Sequence, residues 1–148
     1  MKTILAPVDL SPASGRIAAA ASKLARQCGG RVVLLHISGP PPVPLQGVGF
    51  ATAQIHGMIA VLQQRANRRL QALGRRWSRP GCVVTTEHVT GDRVPVILAR
   101  ARALKAKWLV LGSHGHGAAY DFWVGSTTQA VLRRIVCPVL VVPVRSRG

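Results

Sequence analysis

The segment from residue 112 to residue 127 carries glycines and hydroxyl side chains at a spacing suited to binding an anion. Two residues separate Gly112 from Gly115, nine more separate Gly115 from Gly125, and Ser126 and Thr127 follow at once. Glycines let backbone amides approach an anion with no Cβ atom in the way. A helix beginning at Ser126 would add free N–H groups and a positive dipole end, and the hydroxyls would donate to phosphate oxygens. The segment therefore predicts a phosphate-binding loop, with a plain turn-rich loop as the alternative.

Three ionisable side chains fall inside this loop, namely His114, His116 and Asp121. Histidine titrates near neutral pH, so the two imidazoles would strengthen phosphate binding when protonated, unless they are simply exposed to solvent. Asp121 would hold Mg²⁺ through water, or else belong to the loop surface.

The loop differs from the more familiar nucleotide motifs, and the chain has few features that suggest catalysis. It has neither the Lys-Ser/Thr pair of a P-loop nor the G-x-G-x-x-G spacing with a following acidic residue. The sequence shows no paired carboxylates and no base directed at a water molecule. Binding with slow or no turnover is therefore the prediction, and a weak Mg²⁺-dependent ATPase that uses Asp121 or His116 is the alternative.

Short apolar segments alternate with amphipathic ones along the chain, which predicts one doubly wound α/β domain over residues 1–148. Strands are expected at residues 2–8, 31–37, 82–89, 108–111 and 138–144, the third of them at an edge because it is polar. Helices are expected from the N-cap Ser11 to Gly29, over 51–77, after the N-cap Asp92, and over 126–134. The longest helix is expected to bury one face, which consists of Ile55, Ile59, Leu62, Ala66, Leu70, Leu73 and Trp77.

These elements determine where a ligand should bind. In open parallel sheets, ligands bind beyond the carboxyl ends of the strands, at the point where the strand order reverses. Pro7-Val8-Asp9 ends the first predicted strand, and Leu111-Gly112 ends the fourth. These two strand ends are therefore expected to form the site. His36 is expected to be hydrogen-bonded within the sheet, and His88 to be exposed.

From end to end, the chain resembles the universal stress protein family. The resemblance rests on residues 4–11 (ILAPVDLS), 33–37 (VLLHI), Gly91-Asp92 before a helix, and 111–127 together with 137–143 (CPVLVVP). The G-x2-G-x9-G-(S/T) spacing is the one that marks the ATP-binding branch of that family. The resemblance implies a five-stranded parallel sheet of order 3-2-1-4-5 with helices on both faces. It also implies a homodimer paired through the last strand, Val139 to Val144, which would hide an apolar edge.

The same resemblance implies roles for the matched positions. Pro7 and Asp9 would lie beside the adenine and ribose, with the Asp9 carboxylate accepting hydrogen bonds from the sugar hydroxyls. Ile37 would place backbone groups and an apolar side chain against the adenine, and Leu111 and Gly112 would flank the nucleoside. The phosphates of ATP, or of ADP or AMP, would be held by Gly115, Gly125, Ser126 and Thr127. His116 is predicted to join them because of its charge and its place in the loop, and not because of the resemblance.

The chain is strongly basic, with 20 Lys and Arg against 4 Asp and Glu and a formal charge of +16 at pH 7. Such a field attracts polyanions, so a module that binds nucleic acid through the arginines of the long helix is a third hypothesis. Scattered charges are also typical of a solvated basic surface, and no aromatic-stacking or helix-turn-helix signature accompanies them.

Cysteine usage and hydropathy predict a cytoplasmic protein with no membrane association. Cys28, Cys82 and Cys137 are far apart and form no C-x-x-C pair, which argues against a disulfide framework and a zinc site. No apolar run reaches the roughly 20 residues that would span a bilayer. Asp9 interrupts the short apolar stretch at the N-terminus, which is therefore unlike a signal peptide.

Overall fold

The computed structural model describes residues 1–40, 49–113 and 124–144. Strands and helices alternate through these ranges. They are β1 (Lys2–Val8), α1 (Ser14–Cys28), β2 (Gly30–Ser38), α2 (Gly49–Trp77), β3 (Val83–Thr90), α3 (Arg93–Ala103), β4 (Trp108–Gly112), α4 (Ser126–Leu132) and β5 (Val139–Val142).

The five strands form one parallel sheet in the order β3-β2-β1-β4-β5. This order confirms the predicted topology, and it places β3 and β5 at the two edges. The order reverses at β1, because the chain adds β2 and β3 on one side of it and β4 and β5 on the other.

Two apolar clusters cover the two faces of the sheet, because successive strand residues point to opposite sides. The first cluster lies against α1 and α2 and contains Ile4, Val32, Leu34 and Val110 from the strands. The second contains Leu5, Leu35 and Leu109, with Ile97 of α3 and Val131 of α4. The sheet is therefore buried between helical layers, as the nearly continuous apolar strands predict.

Helix α1 begins two residues later than predicted. Ala13, and not Ser11, occupies the N-cap position. The delay arises because Oδ1 of Asp9 accepts hydrogen bonds from the Ser11 amide at 2.9 Å and from the Ser14 hydroxyl at 3.0 Å. These bonds hold the intervening residues in a turn. The predicted end of the helix is confirmed, since Gly29 has a φ of 64° and its N–H donates to the Ala25 carbonyl.

Helix α2 buries only part of the face that its periodicity predicts. Leu70 is 1% exposed, whereas Ile55 is 40% and Leu62 is 56% exposed, so the prediction is wrong for these two residues. Helix α2 is longer than the sheet beneath it, which explains the exposed residues. Twenty-nine helical residues span about 44 Å, while the nine residues of β2 span about 30 Å. The N-terminal half of α2 therefore extends past the sheet.

The remaining helices follow the predictions more closely. Asp92 is the N-cap of α3, although its side chain makes no capping hydrogen bond. The inner face of α3 consists of the buried residues Ile97, Leu98 and Ala101. Helix α4 ends at Leu132, two residues before the predicted end. Across the described ranges, no helix combines the length and the apolarity that a membrane span requires.

Candidate functional site

A crevice opens in the middle of the sheet, where the strand order reverses. Strand β1 pairs with β2 along its whole length, from Lys2 to Val8. Its pairing with β4 is much shorter, and within the described residues it joins only Ile4 to Trp108 and Leu5 to Leu109. The carboxyl ends of β1 and β4 are thus not held together by ladder hydrogen bonds. This is the position at which open parallel sheets bind ligands.

Ser113 connects the end of β4 to α4 and to β5. Its N–H donates to the Val142 carbonyl at 2.9 Å, and its carbonyl accepts from the Gly125 amide. Its hydroxyl oxygen accepts from the Val144 amide at 3.0 Å. The Thr128 hydroxyl also donates to the Gly112 carbonyl at 2.8 Å. These bonds bring Gly112 and Gly125, which are far apart in sequence, together at the β4 side of the crevice.

Asp9 occupies the β1 side of the crevice. Its carboxylate is exposed and is oriented by the hydrogen bonds from Ser11 and Ser14. Asp9 is therefore a turn residue that satisfies a loop amide. A carboxylate accepts more than two hydrogen bonds, so ribose contact by Asp9 is compatible with this role and stays a prediction.

The other predicted binding residues have different environments. The side chains of Ile37 and Leu111 are buried in the second cluster, so a ligand would meet chiefly their backbone. Pro7 and Thr127 are half-buried and Ser126 is exposed at the start of α4. Four predicted residues lie outside the described ranges, and they are His114, Gly115, His116 and Asp121. Across the described ranges, no three His, Cys, Asp or Glu side chains are grouped as metal ligands would be.

A groove of about 590 Å³ adjoins the crevice, between α2 and the turn that follows β1. Sequence reasoning did not find this groove. One wall is formed by α2 residues and the other by residues at the ends of β1 and β2. The α2 wall consists of Leu62, Arg65, Ala66, Arg68 and Arg69, and the opposite wall of Asp9, Leu10 and His36. The i, i+3, i+4 spacing of the three arginines was the signal in the sequence that they share a face.

The turn at Leu10 shapes one side of the groove. Leu10 has a φ of 61°, in the left-handed region that a branched side chain adopts at an energetic cost. Its carbonyl accepts a 2.6 Å hydrogen bond from Nη2 of Arg69. This bond joins the β1 turn to α2 and holds the Arg69 guanidinium in place.

Two histidines lie side by side next to the groove. The Nδ1 atom of His36 is 2.9 Å from the Val8 carbonyl, which confirms His36 as a hydrogen-bonded histidine of the sheet. The prediction that His88 is exposed is wrong. His88 is half-buried, with its Nε2 atom 2.7 Å from the Ser38 hydroxyl and its ring centroid 5.1 Å from that of His36.

His88 should make the stability of the protein fall on mild acidification. Burial lowers the pKa of His88, and the neighbouring His36 ring lowers that pKa further. Below the unfolded-state pKa of about 6.5, the unfolded chain then binds more protons than the folded one, so stability is lost as the pH falls toward the folded pKa. We expect His88→Gln to lose less stability between pH 7.5 and pH 5.5 than the unsubstituted protein, as measured by urea unfolding. His56→Gln, at an exposed position of α2, is the control, and equal losses in all three proteins would refute the assignment.

The strand order and the crevice define a doubly wound α/β domain with a candidate ligand site at its switch point, and comparison with known proteins identifies the family. The model of the universal stress protein family matches residues 1–143. A universal stress protein of Thermus aquaticus, encoded in the 3′ region of QAH/OAS sulfhydrylase, is 31% identical over 144 residues, which cover 95% of this chain and 98% of the relative. The chain therefore belongs to the universal stress protein family.

Solved structures share the fold at lower sequence identity. The hypothetical protein MJ0577 superimposes with a TM-score of 0.82 at 22% identity, covering 99% of this chain and 98% of that one. A universal stress protein in complex with cAMP matches with a TM-score of 0.61 at 24% identity, covering 96% of each chain. A universal stress protein from Archaeoglobus fulgidus in complex with dAMP matches with a TM-score of 0.63 at 16% identity, covering 95% of this chain and 96% of that one. Some structural neighbours of this chain thus bind adenine nucleotides.

Proposed function

We propose that this protein binds an adenine nucleotide, with ATP as the first candidate ahead of ADP and AMP, in the crevice between β1 and β4. The nucleotide would act as a regulatory signal in a stress response, and partner proteins would read the bound state. The observation that carries the proposal is the short pairing of β1 with β4, which leaves their carboxyl ends separate where the strand order reverses. We also propose that the protein acts in the cytoplasm.

The two sides of the crevice have the chemistry that a nucleotide needs. On the β1 side, the fixed carboxylate of Asp9 would accept hydrogen bonds from the ribose hydroxyls, with Pro7 and the Ile37 backbone beside the adenine. On the β4 side, Gly112 and Gly125 lie close together and Ser126 begins a helix, an arrangement that suits phosphate oxygens. Gly115, His116 and Thr127 would complete the phosphate site, and Asp121 would hold Mg²⁺ through water.

The comparisons with solved structures support an adenine nucleotide as the class of ligand. Two structural neighbours were solved with cAMP and dAMP, which share the adenine base and one phosphate group. The triphosphate assignment rests on the G-x2-G-x9-G-S spacing of Gly112, Gly115, Gly125 and Ser126.

Removing the charge of Asp9 should weaken nucleotide binding. Asp9→Asn keeps an Oδ1 acceptor for the turn amide but loses the carboxylate that the ribose hydroxyls would use. A hydrogen bond to a charged group contributes roughly 1.5–3 kcal/mol, so we expect ATP to bind about ten- to a hundredfold more weakly. Isothermal titration calorimetry with ATP, ADP and AMP, with and without Mg²⁺, measures the change.

Asp92→Asn is the matched control, because Asp92 is also an exposed aspartate before a helix and makes no capping hydrogen bond. This control should bind ATP as the unsubstituted protein does. Equal affinities for Asp9→Asn and the unsubstituted protein would contradict the ribose contact. No binding of any adenine nucleotide between pH 6 and pH 8 would contradict the proposed function as a whole.

We also propose that two copies pair through β5. This strand lies at an edge of the sheet, and its four residues are all apolar. Leu140 on the strand and Ile135 and Val136 just before it are exposed. Pairing of the two edges would cover these side chains and satisfy the open backbone groups of the strand.

A further inference from the structure

Three arginines and one acidic side chain, Asp9, line the groove. Helix α2 divides by charge, since residues 49–64 contain no Lys, Arg, Asp or Glu and residues 65–77 contain five arginines and no acid. The ion pair formed within the described ranges joins Arg100 to Glu87, on α3 and β3, and it involves none of the α2 arginines. Arg65, Arg68 and Arg69 therefore place three like charges along one wall of the groove.

Such a group of guanidinium ions is suited to a phosphate monoester. Arginine recognises phosphate through paired N–H donors, and it keeps its charge at every physiological pH. Residues three and four apart on a helix are neighbours, so Arg65 lies next to both Arg68 and Arg69 and the three repel one another. A bound dianion would relieve this repulsion. Arg69 is also held by its hydrogen bond to the Leu10 carbonyl, so one donor group is oriented before any ligand binds.

The position of the groove indicates which phosphate would bind there. Asp9 lines the groove and also forms the β1 side of the crevice. In the proposed function the Asp9 carboxylate accepts hydrogen bonds from the ribose hydroxyls. The 5′-phosphates would extend to the β4 side of the crevice, toward Gly112 and Ser126. One ribose hydroxyl would then still donate to Asp9, and a phosphate on the other ribose oxygen would enter the groove, where three arginines outweigh the single carboxylate of Asp9.

We propose that the groove binds a phosphate group on the ribose 2′ or 3′ oxygen, so that the preferred ligand class is adenosine nucleotides phosphorylated at both the 5′ position and the 2′ or 3′ position. This inference rests on the proposed nucleotide site. It extends that site from α4 on one side of the sugar to α2 on the other.

The shape of the groove favours a small ligand over a nucleic acid. Its volume of about 590 Å³ is within the range of pockets for small molecules. Leu10, Leu62 and Ala66 supply apolar surface between the charges. Arg75 and Arg76, which a longer polyanion would also contact, are exposed in the last turn of α2 and do not line the groove.

Calorimetric titration at fixed ionic strength with AMP, adenosine 2′,5′-bisphosphate and adenosine 3′,5′-bisphosphate tests the inference. We expect one of the bisphosphates to bind about ten- to a hundredfold more tightly than AMP, the effect of charge-assisted hydrogen bonds to one added phosphate. Arg65→Gln and Arg68→Gln should reduce this ratio toward one. Arg75→Gln removes the same charge from the same helix outside the groove, and it should leave the ratio unchanged.

The outcomes separate the inference from the proposed function. If AMP and ATP bind but neither bisphosphate binds more tightly than AMP, the inference is overturned and the proposed function stands. If no adenine nucleotide binds, both are overturned. If Arg65→Gln and Arg75→Gln lower the ratio of bisphosphate affinity to AMP affinity equally, the inference is also overturned, because the effect would then be a general one of charge. The inference is overturned as well if an oligonucleotide binds more tightly than either bisphosphate and loses affinity equally in the Arg65→Gln and Arg75→Gln variants. That result would identify a surface for nucleic acid.

Discussion

Replacing Leu70 with alanine should destabilise the protein by about 2–5 kcal/mol, whereas the same substitution at Leu62 should change stability by less than about 0.5 kcal/mol. Both residues belong to the face of α2 that its periodicity predicts to be buried. Leu70 is 1% exposed and packs in the first cluster, between the helix and the sheet, so truncation would leave a cavity. Leu62 is 56% exposed and leaves no enclosed space when it is shortened.

Urea unfolding at one fixed protein concentration measures both changes, because self-association would make the midpoint depend on concentration. The two substitutions are matched in chemistry and in helix propensity, so their difference reports burial. Similar losses of stability at the two positions would mean that the N-terminal half of α2 is covered in solution, by a second copy or by another part of the chain.

The Leu140→Lys variant should be monomeric at concentrations at which the unsubstituted protein would form the proposed homodimer. Leu140 lies in the middle of β5 and is 37% exposed, so a dimer paired along this edge would bury it. An unpaired lysine charge in that interface should raise the dissociation constant about a hundredfold or more. The chain already carries +16, so the extra charge on each copy also increases the repulsion between them.

Sedimentation equilibrium over a range of protein concentrations measures this dissociation. Leu62→Lys is the matched control, since Leu62 is an exposed leucine on α2 and does not belong to β5, and this variant should remain dimeric. A dimer that survives Leu140→Lys would contradict pairing through β5. A monomeric unsubstituted protein would contradict the proposed homodimer itself.

The sheet was predictable because its strands carry strong local signals. Val32 to Leu35 are apolar without interruption, which is typical of a strand covered on both faces. The polar residues Thr85 and Glu87 predicted that β3 lies at an edge, and the sheet order confirms it. The complete order came from the family resemblance, because local patterns do not determine which strands become neighbours.

The errors arise where distant parts of the chain decide the outcome. Periodicity indicates which face of α2 is apolar, but it cannot show where the sheet ends beneath that face, so Leu62 was assigned to the core. Capping by Ser11 was a reasonable local prediction, and the contact between Asp9 and Ser14 overrides it. Burial lowers the pKa of His88, and the His36 ring on another strand lowers it further. Neither the burial nor this neighbour has a signal in the local sequence.

Part of the candidate site was predictable, because some of its residues lie at the ends of strands that have strong local signals. Asp9 directly follows β1 and Gly112 is the last residue of β4. Parallel topology brings the carboxyl ends of strands to one edge of the sheet. The groove was not predictable, because it needs α2 to pass beside the turn at Leu10. That approach is held by the hydrogen bond from Arg69 to the Leu10 carbonyl, a contact between residues 59 positions apart.

The hydrogen bonds of Ser113 have a thermodynamic consequence. One residue joins Gly125, at the crevice, to Val142 and Val144, at the end of the edge strand. A ligand that shifted the backbone of Ser113 would therefore act on the edge strand through these hydrogen bonds. If the proposed binding at the crevice and the proposed pairing at the edge both occur, they would share one coupling free energy, and reciprocity would require that each changes the affinity of the other by the same factor. The protein would thereby convert occupancy of a small site into a change in its state of assembly.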